Sequence, residues 1–578
     1  MRIFPKSLVY GTATGEILYS KVPLSFWGGV EQTTGDIVDH HHPLFGKNIK
    51  DRVLLLPSTR GSCSGSLVLI ELLVNRVAPA ALVFQDNEEI VTTGVIVART
   101  LLGLSLPVFQ VSRAQFKHIR SQKYLSVRDL ELLTGDEPLP LYEAAPPRVP
   151  DIQNHIYLTE EDKRILNGDY SPAASRAMEI LLQYSHLQDA QQLIPVSRAH
   201  IDACIYTGPA SILIAHSFLS QGAHVAIPTT LNAISVDQRR WREVGVDEDL
   251  AREANRLANA YVAMGAENTF TCAPYLLVSP PEAGDNIGWA ESNAVVFANS
   301  VLGARTQKYP DLIDVCIALT GRAPLAGVQI TEERAPRLCV DVTVKKSEAL
   351  EDAFYPLLGY AVGKVAAGDI PLITGLESTN PTRSDLKAFS AAFATTASAP
   401  MFHIAGITPE AAQFSPTGLK RIRLADDNLL SALNGLTTAA DDSVGLVSLG
   451  NPHFSLEEFA RLSELCTGRR KAESVQVIIT TNRQVYVQAC AAGHVSVIEA
   501  FGAQILTDTC WCMMSETVMD SSVLNLMTNS AKYAHYAPGI VRRGVHFGSL
   551  RDCVAAAETG RVEYDLNIWL SGIRLECC

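Results

Sequence analysis

Two short segments, far apart in the chain, carry the residue types that could do chemistry. Residues 61–66 read Gly-Ser-Cys-Ser-Gly-Ser and follow an apolar run, and residues 508–512 read Asp-Thr-Cys-Trp-Cys after another apolar run. The first segment would offer hydroxyls and backbone N–H groups, and the second would offer sulfur that binds metals. The sequence therefore predicts an active site built from two distant parts of the chain.

Residues 58–66, called the serine loop below, lie between a predicted strand at 53–56 and a predicted helix at 65–75. Backbone N–H groups at the start of a helix bind anions, and Arg60 could bind a carboxylate through two hydrogen bonds. Ser64 or Ser62 could exchange a proton with a substrate if water is excluded. The alternative is an ordinary turn rich in glycine and serine, and composition alone leaves both interpretations open.

The 12 cysteines are scattered and form no CxxC pair. This pattern excludes zinc fingers, ferredoxin-type spacing and thioredoxin chemistry. In a reducing cytoplasm we expect thiols or metal ligands and no disulfides. Cys272 and Cys510 stand in loops or at predicted strand ends, where sites form on α/β sheets. Cys63 and Cys512 are compatible with either role, and we expect the other cysteines to be structural because a lone cysteine is most often a small buried hydrophobe.

Further polar residues crowd the predicted ends of strands and helices. Thr230 and Asn232 follow one predicted strand, and Asn299, Ser300 and Arg305 lie close together in another such segment. Buried amides and hydroxyls need partners, so these residues bond either to each other or to a ligand. For Asn299, Ser300 and Arg305 we favour a ligand.

Two other candidates have ordinary explanations. Lys532 lies on or near a predicted helix, where a lysine is usually solvated. The run from Asp39 through His40 and His41 to His42 could bind a metal, but adjacent histidines rarely converge on one ion. We therefore expect a loop there, with its last histidine packed on the N-terminal domain.

Composition bounds the function and location of the protein. The net charge is −13 with no long run of lysine or arginine, which argues against nucleic-acid binding. The N-terminus lacks the apolar core of a signal peptide, and the longest apolar stretch is interrupted by polar residues, so no membrane helix is predicted. We expect a soluble cytoplasmic enzyme for a small molecule, either a monomer or a small homo-oligomer.

The order of predicted elements indicates an α/β protein with two main parts. Residues 1–134 alternate short strands and helices, residues 135–155 are rich in proline and are predicted to be a linker, and residues 156–578 form a large α/β unit. Predicted strands at 223–227 and 475–480 are nearly continuous apolar runs, which indicates sheets covered on both faces. A helix is predicted to begin after Asp247 and to end at Gly265.

Seven motifs, spread over nearly the whole chain, are specific when they are taken jointly and in order. They are Asp39-His40-His41-His42-Pro43-Leu44, Arg60-Gly61-Ser62-Cys63-Ser64-Gly65-Ser66, Pro228-Thr229-Thr230-Leu231-Asn232, Thr271-Cys272-Ala273-Pro274-Tyr275, Asn299-Ser300-Val301-Leu302-Gly303-Ala304-Arg305-Thr306, Gly406-Ile407-Thr408-Pro409-Glu410-Ala411 and Asp508-Thr509-Cys510. Together they resemble the aconitase X family.

The resemblance implies a large catalytic unit of several α/β subdomains and a small N-terminal swivelling domain, with substrate and an iron–sulfur cluster between them. The fused, single-chain branch implies a 2Fe–2S cluster and a hydro-lyase that dehydrates cis-3-hydroxy-L-proline to Δ1-pyrroline-2-carboxylate. The alternatives are the two-subunit branch, which acts on the phosphorylated hydroxy acid mevalonate 5-phosphate, and a non-catalytic iron–sulfur protein.

The resemblance also implies roles for particular residues. Cys272 and Cys510 would be metal ligands, and Asn451 stands where the two-subunit branch has a third, cysteine ligand. Ser64 or Ser62 would be the base, with Lys532 the next candidate. Residues expected to contact the substrate are Arg60, Cys63, Thr230, Asn232, Asn299, Ser300 and Arg305.

Overall fold

The structure is a computed structural model, and it describes residues 2–128, 130–138, 156–343, 351–514 and 518–563. The chain forms two compact units. The first unit consists of Met1–Thr229, Asn259–Ala266 and Tyr309–Gly327, and the second consists of Thr230–Ala258, Glu267–Lys308 and Val328–Cys578. The serine loop therefore lies in the first unit, and Cys272 and Cys510 lie in the second.

The N-terminal part of the first unit is an eight-stranded mixed sheet with three helices. Its strands are β1 (Arg2–Ile3), β2 (Lys6–Val9), β3 (Thr12–Tyr19), β4 (Val53–Leu56), β5 (Ala81–Phe84), β6 (Val108–Gln110), β7 (Tyr124–Arg128) and β8 (Glu131–Gly135), and its helices are α1 (Gly65–Val74), α2 (Ile90–Val97) and α3 (Arg113–Ile119). Strands β3 to β6 run parallel at the centre of the order β1-β8-β7-β3-β4-β5-β6-β2. Every side chain of β4 is buried, as expected for a parallel strand covered on both faces.

The middle of the chain alternates helices with short strands. Its helices are α4 (Glu160–Leu166), α5 (Pro172–Leu187), α6 (Pro209–Ser220), α7 (Glu248–Ala263), α8 (Ser292–Phe297) and α9 (Ile313–Thr320), and its strands are β9 (Leu193–Pro195), β10 (Ala199–Ile201), β11 (Thr229–Leu231), β12 (Gly288–Trp289), β13 (Arg322–Pro324) and β14 (Leu338–Val342). Within the first unit, β9 and β13 pair antiparallel, and helices α5 and α9 pack against each other.

The C-terminal part of the second unit contains two parallel sheets. Its remaining strands are β15 (Pro371–Thr374), β16 (His403–Ile404), β17 (Lys420–Leu424), β18 (Leu446–Leu449), β19 (Gln476–Thr481), β20 (Gln504–Thr507), β21 (Asn525–Thr528) and β22 (Gly544–Phe547), and its helices are α10 (Phe354–Ala366), α11 (Arg383–Thr396), α12 (Asp426–Leu436), α13 (Leu456–Cys466), α14 (Arg483–Ala491), α15 (His494–Phe501), α16 (Ala531–Ile540) and α17 (Leu550–Thr559). The sheet orders are β16-β15-β14-β17 and β20-β19-β18-β21-β22. The carboxyl ends of β18 and β20 lead into the segments that hold Asn451 and Cys510, so this sheet positions both residues.

The structure confirms the predicted α/β class and most of the predicted elements near the site. The strand at 53–56 is β4, the helix at 65–75 is α1, the strand at 475–480 is β19 and the helix after Asp247 is α7. The prediction of a strand at 223–227 is wrong. This segment is irregular, because its N–H groups at Val225 and Ala226 bond to carbonyls of Met264 and Ala318 and not to a neighbouring strand.

Most of the predicted proline-rich linker, residues 139–155, lies outside the described residues, as do Cys577 and Cys578. Across the described ranges, no helix combines the length and the apolar character that crossing a lipid bilayer requires.

Candidate active site

The serine loop connects β4 to α1, and its two candidate bases touch each other. The Ser62 hydroxyl donates to the Ser64 Oγ at 3.2 Å, and the Ser64 N–H donates to the Ser62 Oγ at 3.3 Å. Ser64 is the residue before the first turn of α1, so it lies at the positive end of the helix dipole. Gly61 has a φ of +87°, a conformation that favours glycine. The loop thus places paired, buried hydroxyls at a helix start.

Arg60 is already engaged within the first unit. Its Nη2 pairs with Asp39 Oδ2 at 2.9 Å, and its Nε donates to the Pro23 carbonyl at 3.1 Å. The preceding Thr59 hydroxyl donates to Glu88 at 2.6 Å, which ties the loop to the start of α2. A substrate carboxylate bound by Arg60 would therefore share the guanidinium with Asp39.

Cys63 is fully buried inside the first unit, where it packs as a small apolar residue. Its carbonyl accepts from the Asp311 N–H at 3.4 Å, and the Ser66 hydroxyl lies 3.1 Å from the same carbonyl. His42 is also buried in the first unit, with Nε2 bonded to Ser20 and Nδ1 accepting from the Leu44 N–H. These contacts give His42 a structural role.

In the second unit, two thiols from distant segments meet. The Sγ atoms of Cys272 and Cys510 are 3.6 Å apart, although 238 residues separate them in sequence. Cys510 follows β20 and Cys272 precedes a short 3₁₀ turn at Pro274–Leu276. Both thiols are buried, and Ala233 packs against them. The hydrogen bond with Cys272, together with burial, raises the pKa of the Cys510 thiol well above its usual value.

His453 lies beside this pair. The possible metal-binding atoms of Cys272, His453 and Cys510 all lie within 4.8 Å of one another. Among the described residues, this is the one group of three or more histidine, cysteine, aspartate or glutamate residues that is so close. However, the Nε2 of His453 bonds to the Thr509 carbonyl at 2.7 Å and its Nδ1 bonds to the Thr271 hydroxyl at 3.2 Å. Burial lowers the pKa of His453 to about 4, so the ring is neutral. Both ring nitrogens are thus bonded to groups of the protein. The contact with the thiols comes from the His453 backbone N–H, which donates to the Cys272 sulfur at 3.3 Å.

Asn451 lies between two sulfur atoms. Its Nδ2 is 3.2 Å from the Cys510 Sγ and 3.0 Å from the Cys512 Sγ. Its Oδ1 is buried and has no hydrogen-bond partner among the described residues. Gly450 precedes it with a φ of +89°, and a Cβ there would lie 2.1 Å from the Thr480 carbonyl, so only glycine fits. The turn that presents Asn451 is thus fixed against β19.

These donors fit an iron–sulfur group. Two thiolates on one tetrahedral metal, each about 2.3 Å from it, stand roughly 3.7 Å apart. The 3.6 Å between the Cys272 and Cys510 sulfurs matches that separation. The buried, unpartnered Oδ1 of Asn451 also points to a missing partner at this place.

Trp511 lies between Cys510 and Cys512 in sequence and is fully buried. Its indole N–H donates to the Leu449 carbonyl at 3.0 Å, and its ring lies 5.4 Å from that of Tyr533. These contacts fix the indole ring in the interior of the second unit.

A buried ion pair stands next to the thiols. Lys532 Nζ lies 2.6 Å from Glu291 Oε1, which also accepts from the Asn293 amide at 2.7 Å. Burial alone would lower the pKa of Lys532, but the charges of Glu291 and Cys512 outweigh it and raise the pKa well above its usual value. The buried pair with Glu291 therefore favours the charged, ammonium form of Lys532.

Glu291 and Asn293 are not among the residues that the sequence predicts for the site. The sequence does contain a signal that could have pointed to Glu291, because it is the sole charged residue between Asp285 and Arg305. The Asn232 amide reaches its second oxygen at 3.4 Å, so the structure brings predicted residue Asn232 to this group. Thr230, in β11, pairs its backbone with Glu267.

Asn299, Ser300 and Arg305 are bonded within the protein. The Asn299 amide donates to the Thr306 and Pro400 carbonyls at 2.8 and 3.0 Å. The Ser300 hydroxyl accepts from a backbone N–H at 2.9 Å. Arg305 donates to a backbone carbonyl and to a threonine hydroxyl. These bonds are the intramolecular partners that the sequence left open as the alternative to a ligand, and the substrate contacts stay a prediction.

Comparison with known proteins covers the chain almost completely. Family models match in the order swivel domain of aconitase X at residues 2–133, first domain at 155–332, second domain at 336–434 and third domain at 444–559. The chain is 49% identical to cis-3-hydroxy-L-proline dehydratase of Pseudomonas aeruginosa over 98% of each chain. It is 47% identical to the enzyme of that name from Hypocrea jecorina, over 96% of this chain and 94% of the relative.

More distant relatives match the larger part of the chain. The phosphomevalonate dehydratase large subunit of Methanothermobacter thermautotrophicus is 34% identical over 67% of this chain and 94% of its own length. The crystal structure of Thermococcus kodakaraensis aconitase X in its holo-form is similar with a TM-score of 0.63 and 31% identity, over 70% of this chain and 100% of that one.

Proposed function

The chain belongs to the aconitase X family and is a hydro-lyase, and we propose that its reaction is the dehydration of cis-3-hydroxy-L-proline to Δ1-pyrroline-2-carboxylate. One observation carries the choice of substrate. The dehydratases of this amino acid match the chain over nearly its full length, whereas the phosphomevalonate dehydratase large subunit matches 67% of it.

We further propose that Cys272 and Cys510 hold an iron–sulfur cluster of the 2Fe–2S type, with Asn451 beside it. The thiol separation of 3.6 Å and the unpartnered Asn451 Oδ1 support this assignment. When bound, the cluster would supply a Lewis acid for the oxygen atoms of the substrate. Asn451 and the His453 N–H donate to the sulfurs and would stabilise their negative charge as thiolates.

The serine loop is proposed to move the proton. Ser64 or Ser62 would take the proton from the α-carbon as the C3–O bond breaks and hydroxide departs. The product of elimination is an enamine, which tautomerises to the cyclic imine. A neutral serine is a weak base, so its pKa must fall, and the start of α1 favours the required negative charge. Arg60 would hold the substrate carboxylate while Asp39 fixes the guanidinium.

Lys532 is proposed to act through its charge. Glu291 keeps it protonated, and the ammonium lies close enough to Cys510 and Cys512 to influence both thiols. A positive charge there would favour thiolate over thiol and would stabilise negative charge that develops during elimination. Lys532 would thus be an electrostatic residue, while the base comes from the serine loop.

The domain division remains part of this proposal. Residues 1–134 would be the small swivelling domain, residues 135–155 the linker and residues 156–578 the catalytic unit. The separate family matches at 2–133 and 155–332 support this division.

Incubation of the iron-loaded protein with cis-3-hydroxy-L-proline alone tests the function, with o-aminobenzaldehyde to detect the pyrroline. Because no other cofactor is proposed, product should form without NAD, pyridoxal phosphate or ATP. Mevalonate 5-phosphate serves as the comparison substrate. Turnover of that compound alone would favour the alternative reaction, and iron binding without turnover of either compound would contradict catalysis.

A further inference from the structure

Helix α1, which begins at the end of the serine loop, carries one buried carboxylate. Glu71 lies about two helical turns after Ser64 and is 1% exposed. Its Oε1 accepts from the Ala210 N–H at 2.7 Å and from the Ser211 N–H at 3.4 Å. Both N–H groups belong to the first turn of α6, in the same compact unit. A residue of the N-terminal sheet region thus binds the start of a helix that lies 139 residues further along the chain.

Helix α6 has no cap of its own. Its N-cap residue is Gly208, which has no side chain, and the next residue is Pro209, which has no N–H group. Ala210 and Ser211 therefore supply the first donors of the helix, and a buried helix start needs acceptors for them. Glu71 takes the place of the missing cap, because its Oε1 accepts from both donors.

Gly208 is shaped to admit this carboxylate. A Cβ at Gly208 would lie 2.6 Å from the Glu71 Cδ and Oε2, so a larger residue here would displace the carboxyl group of Glu71 from its present position. Its φ of +154° also favours glycine. The approach of α1 to α6 therefore depends on both residues.

The serine loop itself also makes contacts with a distant segment, at Asp311. The Cys63 carbonyl accepts from the Asp311 N–H, and the Ser66 hydroxyl lies 3.2 Å from the Asp311 carbonyl. The loop and α1 are thus fixed at two places by segments beyond residue 200. Loss of the hydrogen bonds at either place would leave the hydroxyls of Ser62 and Ser64 less well fixed.

We infer that Glu71 is a positioning residue, which fixes the serine loop by binding α1 to the first turn of α6. The consequence for turnover rests on the proposed function, in which Ser62 or Ser64 is the base. A base displaced by about 1 Å reduces the rate on the order of 100-fold. The effect should fall on kcat more than on KM, because Arg60, although it lies in the same loop, is held separately by Asp39 and the Pro23 carbonyl.

The test compares Glu71→Ala with Glu71→Gln, whose amide oxygen can still accept from Ala210. Hydrogen exchange of residues 61–70 is measured by mass spectrometry, together with kcat, KM and iron content at a temperature where each variant is folded. For Glu71→Ala we expect faster exchange in this segment, a kcat lower by roughly 10- to 100-fold and a KM within about threefold of wild type. Glu71→Gln should restore exchange and kcat to near wild type. Iron content should not change, since Cys272 and Cys510 lie in the other unit.

The control is Glu16→Ala, which removes a half-exposed carboxylate, paired with Arg52, from the same region. Gly208→Ala disrupts the same contact from the α6 side and replaces Glu71→Ala if that variant does not fold. Unchanged exchange of residues 61–70 in both Glu71→Ala and Gly208→Ala would overturn the inference, whatever happens to turnover. Faster exchange with unchanged kcat would support the positioning by Glu71 but would count against a serine base, so the two proposals fail separately.

Discussion

The sulfur atoms of Cys272 and Cys510 lie 3.6 Å apart, and the backbone N–H of His453 and the amide of Asn451 each donate to one of them. Donors that point at sulfur stabilise a thiolate more than a thiol. These donors support the proposal that both sulfurs bind metal as thiolates. In the protein as described, the hydrogen bond with Cys272, together with burial, raises the pKa of the Cys510 thiol.

The first prediction concerns these ligands. Cys272→Ser and Cys510→Ser should each lose most of the bound iron, because a hydroxyl is a much poorer ligand than a thiolate and affinity should fall by at least about 10- to 100-fold. Iron per chain and the visible absorption spectrum measure the loss. Cys490→Ser, which changes an exposed thiol on α14 in the same unit, is the matched control. Full iron content in Cys510→Ser would refute the ligand assignment.

The second prediction concerns the base. Ser64→Ala should keep the fold and the iron but should lower kcat by roughly 10²–10⁴, the usual effect of losing a general base. Exchange of the substrate α-proton with solvent deuterium should fall in parallel. Ser121→Ala removes an exposed hydroxyl from the same unit and should leave kcat unchanged. If only Ser62→Ala is inactive, the base is Ser62, and if both variants remain active, the base is not in the serine loop.

The third prediction concerns the ion pair of Lys532 and Glu291. Lys532→Met should destabilise the protein by about 3–5 kcal/mol, because it leaves the Glu291 carboxylate buried and unpaired. Adding Glu291→Gln should recover part of this loss, which a double-mutant cycle from urea unfolding would show as a coupling energy. Arg337→Met breaks an exposed pair with Glu333 and should cost less than about 1 kcal/mol. Additive effects at Lys532 and Glu291 would contradict the buried pairing.

The fourth prediction concerns pH. Burial raises the pKa of Glu71 from 4.5 to about 7, while the N–H groups of Ala210 and Ser211 offset part of the shift. The native state therefore holds this proton more tightly than the unfolded chain, and ionisation costs stability as the pH rises from about 4.5 through 7. The free energy of unfolding of wild type should fall, relative to Glu71→Gln, by on the order of 3 kcal/mol across this window.

Urea unfolding of both proteins at several pH values between 4.5 and 8 measures that difference. The comparison with Glu71→Gln is needed because burial also raises the pKa of Asp314 to about 6 in the same unit. A wild-type curve that runs parallel to that of Glu71→Gln would show that Glu71 does not titrate in this range.

Local sequence patterns predicted the elements that carry the site. The apolar run at 53–56 and the glycine-rich turn after it predicted β4 and α1. This was possible because the burial of a strand and the start of a helix depend on residues that are neighbours in the sequence. The proximity of Cys272 and Cys510 followed only from the family resemblance, since no local pattern records a contact between residues 238 positions apart.

Partners of buried polar groups were the part that sequence could not predict. Asn299 and Arg305 each donate to a backbone carbonyl of another segment, and such a partner leaves no mark on composition. Glu71 and Glu291 were overlooked for the same reason, because their partners come from α6 and α16. The predicted strand at 223–227 is wrong for a different reason. This segment between Gly222 and Pro228 is irregular, and of its residues only Ala223 is buried.

Trp511 is buried and lies between Cys510 and Cys512 in the sequence, so its indole ring is an optical probe that the protein carries at its own site. Indole fluorescence is quenched by energy transfer to nearby iron–sulfur chromophores. Because the chain has five tryptophans, the emission of one of them must be isolated by a difference measurement. The difference in emission between wild type and Trp511→Phe isolates the signal of this one ring. Its intensity would then report loading or loss of the proposed cluster in real time, without a substrate and without an added dye.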